Sequence, residues 1–218
     1  MPKAVLDAGA VTSLRTGAAA VLAAETLGRK GASTAAVFGA GVNGRAAART
    51  FLARGRPVAL WDVSAERAAG VADELGATVA SSREEALAAD LLVTVTPGHE
   101  VLLPEGTLRP GQHVSLMGAD GPGKAEAASA ELARARLFCD EWEQASHGGE
   151  LAHAVEDGSI GREDVTALGD VLAGGAPGRT SDDELTMFDS TGLAIQDLAI
   201  AVAALERADE LDLATLSL

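Results

Sequence analysis

Apolar residues cluster in short runs along this chain, and helix-like stretches separate the runs. Residues 34–38 (TAAVF), 57–61 (PVALW), 78–80, 91–95 (LLVTV), 113–117 and 137–139 have the length and composition of buried strands. Between them, residues 42–54 and a stretch that Ser64 can cap and that ends at Leu75 read as helices. Ser82 and Glu85 have capping-box spacing ahead of another short helix. Fully apolar strands alternating with helices predict a parallel sheet covered on both faces, an α/β doubly wound fold. Two Ala- and Leu-rich helical stretches stand outside this alternation, one at 11–29 and one near the end of 189–208. The predicted organisation is therefore an N-terminal helix in residues 1–30, the doubly wound domain in 31–175, and a C-terminal segment with a returning helix in 176–218.

Composition changes this picture little. The 218 residues are 47% hydrophobic and 22% charged, ordinary for a globular chain, but only 3% aromatic, so the core must be built from Ala, Val and Leu. The net charge of −15 argues against binding a phosphate backbone, so no nucleic-acid partner is expected. One cysteine, Cys139, excludes an intrachain disulfide. No apolar run approaches the roughly 18 residues of a membrane span, and the first residues lack a signal-peptide core. A cytoplasmic protein is expected.

The strongest chemical signal is Gly39-Ala40-Gly41-Val42-Asn43-Gly44, a G-x-G-x-x-G run between a strand and a helix. Gly39 permits the tight turn, Gly41 lets backbone approach a pyrophosphate, and Gly44 lets the helix pack closely on the strand. The helix N-terminus then offers free N–H groups to the phosphates. Asp62 ends the second strand, where a carboxylate can accept both hydroxyls of an adenosine ribose and repel a 2′-phosphate. Arg67 follows a turn later. The pattern points to NAD rather than NADP.

Other candidates are less decided by the residues alone. Thr94 and Thr96 lie at the carboxyl end of the fourth strand, where ligands of open sheets bind, although β-branched residues also suit a strand. Asp120 sits in the turn 117–124 (MGADGPGK); it is either a proton acceptor or a turn-capping carboxylate. Arg15 can grip a substrate carboxylate or simply face solvent. His99 follows the fourth strand and could touch a ligand, whereas His113 begins a strand and reads as structural. The histidines show no zinc-ligand spacing, and Ser181–Glu184 reads as a solvated turn, so no metal is expected.

With these motifs in place, the sequence resembles the ornithine cyclodeaminase/μ-crystallin family. The resemblance runs in order through 14–19 (LRTGAA), 38–41 (FGAG), 93–97 (VTVTP), 118–124 (GADGPGK), Asp140 with Glu143-Gln144, 177–184 (PGRTSDDE) and 188–192 (FDSTG). It implies that Arg15 holds the substrate carboxylate and that Asp120 is the acid/base. It implies NAD contacts at Val42, Asn43 and Asp62, and further ones at Thr94, the strand residues Val114, Ser115, Leu116 and Met117, Lys124 and Ser190. Thr191 takes a substrate-pocket position. The implied activity is NAD-dependent oxidoreduction or cyclodeamination of a small amino or imino acid, of the ornithine cyclodeaminase, alanine dehydrogenase or ketimine reductase type. The other reading is a non-catalytic NAD-binding module acting through a partner or ligand. Family members carry a substrate domain ahead of the Arg-Thr helix. The expectation is that this chain holds the cofactor half, a dinucleotide-binding Rossmann-type domain in 31–175, that its terminal helices, 1–30 among them, are appendages left from a truncated substrate domain, and that a homo-oligomer or partner chain meets those helices.

Overall fold

The computed structural model describes residues 4–97, 100–119, 121 and 123–210. The chain builds helix α1 (Ala8–Leu27), then strand β1 (Ala35–Phe38), α2 (Val42–Ala53), β2 (Val58–Trp61), α3 (Ala65–Leu75), β3 (Thr78–Val79), α4 (Arg83–Leu87) and β4 (Leu91–Thr94). It continues through β5 (His113–Leu116), α5 (Ser129–Leu132), β6 (Arg136–Cys139), α6 (Trp142–Gly148), α7 (Ala152–Glu156), β7 (Val165–Ala167), α8 (Leu168–Leu172), β8 (Thr186–Asp189) and α9 (Ala194–Leu205). The strands form one sheet in the order β3-β2-β1-β4-β5-β8-β6-β7, and every pairing is parallel. This is the doubly wound architecture that the apolar runs predict.

Local chemistry sets the element ends. Ser64 Oγ accepts from Arg67 N at 3.2 Å and starts α3, and Gly76 ends it in the left-handed region. Ser82 Oγ accepts from Glu85 N at 3.1 Å, half of the expected capping box; the Glu85 carboxylate instead accepts from Ser81 N and Ser81 Oγ. Two apolar layers cover the sheet. One joins α1, α2 and α3 to Val37, Leu60, Val93 and Phe188; the other gathers Phe38, Leu92, Val114, Leu116, Leu137 and Met187.

Two expectations about organisation are corrected. The described residues form eight strands rather than six, because β7 and β8 were not expected. β8 inserts between β5 and β6, so the sheet does not end at residue 175 and the segment 176–218 supplies one of its inner strands. Likewise α1 is no appendage of residues 1–30: Ala20, Ala23, Ala24 and Leu27 are fully buried in the sheet's own core, and Ser115 Oγ on β5 donates to the Ala20 carbonyl at 2.8 Å. A small-residue face lets α1 approach the sheet this closely. α9 packs against α1 but has no buried residue, and Ile195, Leu198, Val202 and Leu205 are exposed, as are Leu14 and Leu22 of α1. Among the described residues, no helix is long and apolar enough to cross a membrane.

Candidate functional site

A cleft of about 570 Å³ opens at the carboxyl ends of β1, β2, β4 and β5. The chain leaves β1 toward β2 on one side and returns to β4 on the other, so the cleft lies at the topological switch point of the sheet.

The glycine turn forms its floor. Gly39 donates its N–H to Trp61 O at 2.8 Å and has φ +100°, which favours glycine. A Cβ on Gly44 would overlap the Gly39 carbonyl oxygen, so the helix meets the strand only because Gly44 has none. Gly41 caps α2 without any side-chain bond, the first turn holds no acid, and the first helical bond is Arg45 N to Gly41 O at 2.9 Å. The N–H groups of the α2 start thus face the cleft with no side chain or acid competing for them, and Gly41, Val42 and Asn43 line it. These features fit an anionic pyrophosphate.

Asp62 and Arg67 close one end. Asp62 is 9% exposed and already engaged: Oδ2 accepts from Ala40 N at 2.7 Å, Oδ1 from Ser64 N at 2.8 Å, and Arg67 Nη1 lies 3.3 Å away. The carboxylate therefore fixes the glycine turn as well as facing a ribose position. Arg67 must release it before both oxygens can take hydroxyl donors.

The opposite wall comes from Val95, Thr96 and Pro97 after β4 and from Met117, Gly118 and Lys124 after β5. Several candidates lie elsewhere, and this corrects the expectation drawn from the resemblance. Thr94 is fully buried and donates to Glu126 Oε2 at 2.6 Å. Val114 and Leu116 are core residues, and Ser115 is tied to α1 and to His113. A strand buried on both faces cannot present these side chains to a ligand at its end; only Met117, past the strand, lines the cleft.

Ser190, Thr191 and Arg15 form a second group. Ser190 Oγ donates to Asp140 Oδ2 at 2.9 Å, Thr191 Oγ1 lies 3.3 Å from Asp140 Oδ1, and Gly192 N donates to Oδ2 at 2.8 Å. The Arg15 guanidinium packs against Gly192 and lies 3.8 Å from Asp197, and its Nε makes no hydrogen bond. Arg15 and Thr191 therefore meet at the β8–α9 turn. Asp120 and His99 lie outside the described residues.

Sequence reasoning missed a buried acidic column. Glu126 and Glu150 are 0% and 1% exposed, and Asp189 is buried beside them. Glu126 N and Ala127 N donate to Glu150 Oε1 at 2.7 and 2.5 Å, and Leu151 N donates to Asp189 Oδ2 at 3.1 Å. Burial pushes all three carboxyls upward, Glu150 to about 8 and Asp189 to about 7; neighbouring carboxylates add to the rise at Glu150 and Asp189, and the hydrogen bonds of Thr94, Thr96 and Gly118 oppose it at Glu126. An acid inside an Ala-rich stretch carries no sequence signal of burial. His113 is structural: it contacts Thr186 Oγ1 at 2.9 Å, and burial with nearby Arg179 pushes it down to about 3. Among the described residues no acid, histidine and cysteine group could hold a metal.

Comparison with known proteins gives this geometry a context. The family model described as ornithine cyclodeaminase/mu-crystallin matches residues 1–212. An alanine dehydrogenase of Archaeoglobus fulgidus is 41% identical over 214 residues, 95% of this chain and 66% of that protein. An iminosuccinate reductase of Paracoccus denitrificans is 38% identical over 94% of this chain and 66% of its own length. The chain thus spans about two thirds of these relatives. Among solved structures, an archaeal alanine dehydrogenase dimer with bound NAD superposes with a TM-score of 0.90 at 40% identity, covering 99% of this chain and 69% of the other. The Paracoccus denitrificans iminosuccinate reductase in complex with NAD+ gives 0.85 at 36% identity, over 92% and 64%. With its sheet, glycine turn and switch-point cleft, the chain belongs to the ornithine cyclodeaminase/μ-crystallin family.

Proposed function

We propose that this chain is the cofactor-binding part of an NAD-dependent oxidoreductase that acts on a small amino or imino acid. The observation that carries the reading is the start of α2: N–H groups without a capping side chain, open to a cleft that ends at Asp62. Gly41, Val42 and Asn43 would hold the pyrophosphate, and Asp62, once Arg67 swings aside, the adenosine ribose. Thr96, Met117, Gly118 and Lys124 would border the nicotinamide half. Bound NAD supplies a hydride acceptor, or as NADH a donor.

The chain's own residues would do the rest. Arg15, whose guanidinium packs against Gly192 and whose Nε lies 3.8 Å from Asp197, would offer its Nη groups to a substrate carboxylate. Asp120, two residues after Gly118 in the sequence, would take the amine proton as the Cα–H bond gives up its hydride and the imine forms; reduction of an imine runs the reverse way. Dehydrogenation or imine reduction is the first reading to test, because the relative at 41% identity is an alanine dehydrogenase; at 38% stand both an iminosuccinate reductase and an uncharacterized cyclodeaminase of Sinorhizobium fredii, and an ornithine cyclodeaminase of Agrobacterium fabrum stands at 32%.

The test is NADH absorbance when the protein is mixed with NAD+ and L-alanine, L-aspartate, L-proline or L-ornithine in turn. The reading expects NADH with one of the first three. A cyclodeaminase returns its hydride and accumulates no NADH, so ammonia release from L-ornithine is read as well; NAD+ binding with neither NADH from any of the four nor ammonia from L-ornithine favours the non-catalytic module.

A further inference from the structure

The wall of the cleft opposite the glycine turn is made of two separate turns, 95–97 and 117–118. Their strands are paired in register up to Thr94 and Leu116, and Met117 N still donates to Thr94 O at 2.8 Å. Beyond that point, among the described residues, one side chain joins them. Glu126 Oε1 accepts from Thr96 N at 2.8 Å and from Thr96 Oγ1 at 2.7 Å. Its Oε2 accepts from Gly118 N at 3.0 Å and from Thr94 Oγ1 at 2.6 Å. Two of these four donors are backbone N–H groups, one in each turn.

The clasp is anchored from behind and not by the cleft. The Glu126 carbonyl accepts from Leu102 N and Leu103 N at 2.7 and 2.9 Å, and its N–H is bound by the buried Glu150. The fit on the far side is tight: a Cβ on Gly118 would come within 2.6 Å of both carboxylate oxygens. Glu126 touches no cleft space itself and is absent from the lining.

We propose that Glu126 is a positioning residue that holds the 95–97 and 117–118 turns at the separation the nicotinamide half of the cofactor requires. The inference rests on the reading that the cleft binds NAD. It adds that affinity for the two halves of the cofactor is set by different devices: the adenosine half by the glycine turn and Asp62, the nicotinamide half by a buried carboxylate no ligand touches.

Glu126→Gln keeps the shape and breaks the clasp. An amide has one acceptor oxygen, so its NH2 must oppose either Thr96 N–H or Gly118 N–H, both donors. Calorimetric titrations with NAD+ and with ADP-ribose, which lacks nicotinamide, separate the halves. For Glu126→Gln we expect ADP-ribose affinity within about twofold of wild type and NAD+ affinity roughly tenfold weaker, the scale of one buried donor left unpaired. An equal loss for both ligands, or no loss for either, overturns the proposal. If Glu126→Gln does not fold, Thr94→Val removes one of the four donors at constant shape; it should lower the NAD+ to ADP-ribose affinity ratio in the same direction, and an unchanged ratio overturns the proposal. A wild type that binds neither ligand overturns the NAD reading and this inference with it. A wild type that binds both, with an unaltered ratio in the variants, leaves that reading standing and removes Glu126.

Discussion

Replacing Glu150 by Gln should stabilise the protein in alkaline solution and leave it nearly unchanged in acid. Glu150 Oε1 accepts two backbone N–H groups, whereas Oε2 is buried with no hydrogen-bond partner; Asp189 Oδ1 is in the same position. Burial and the charges of Glu126 and Asp189 push Glu150 from 4.5 to about 8. Because the folded value is raised, the folded state holds a proton between about pH 4.5 and 8 that the unfolded chain has released. Stability is therefore full below the unfolded value and falls as pH rises through that window. A carboxyl acting alone over this interval would account for roughly 4–5 kcal/mol. Asp189, raised to about 7, relaxes once the neighbouring charge is gone, so part of that figure belongs to the pair. The Gln oxygen can accept the same two N–H groups and carries no charge to bury. Urea unfolding of wild type and Glu150→Gln at about pH 5 and about pH 9 should give similar stabilities in acid and a variant more stable by ~2–4 kcal/mol in base. The chain's net charge of −15 also lowers stability as pH rises, so the difference between the two proteins is the quantity to read. Parallel pH profiles, or a variant less stable at about pH 9, would refute the reasoning.

Three further outcomes follow from the packing. Gly44→Ala forces a Cβ into the Gly39 carbonyl, so we expect a loss of at least ~2 kcal/mol in urea unfolding; an unchanged midpoint would show that α2 can move off β1 freely. Arg179→Ala removes the guanidinium's bonds to the carbonyls of Leu27 and Gln112, at 2.7 and 2.9 Å, and of Glu184, which keep their other donors Thr186 Oγ1, Thr186 N and Gly111 N; it should cost ~1–3 kcal/mol, whereas a loss below ~0.5 kcal/mol would mean water replaces the guanidinium. Leu198→Glu changes an exposed residue of α9 in the apolar face that a second copy of this chain would cover; light scattering should show an oligomer that the substitution reduces, with folding stability moved by less than ~0.5 kcal/mol, and a monomeric wild type contradicts it.

The glycine turn, the α2 start and the first six strands were legible because each is specified locally: an apolar run, a cap, a turn residue. β8 was not. Its inner position between β5 and β6 depends on pairing with segments far away in sequence, and a four-residue run, 186–189, looks the same in a loop as in a strand. For the same reason α1 read as an appendage: its Ala-rich face signals burial but not against what. The site shows a parallel division. Gly39, Gly41 and Asp62 carry their chemistry in their spacing, but Thr94 and Ser115 were placed by analogy at a strand end, and burial of both sheet faces directs their side chains to Glu126 and to α1. Glu126 itself had no signal, since nothing local distinguishes a carboxylate that clasps two turns from one that faces solvent.

If the α2 start and Asp62 together hold NAD, titration calorimetry of the protein with NAD+ and NADP+, repeated on Asp62→Ala, shows it. Saturable binding of one NAD+ per chain is expected, with weaker binding of NADP+ and a loss of ~1–3 kcal/mol in NAD+ affinity for the variant. No heat with either nucleotide, or tighter binding of NADP+ by the wild type, would contradict it.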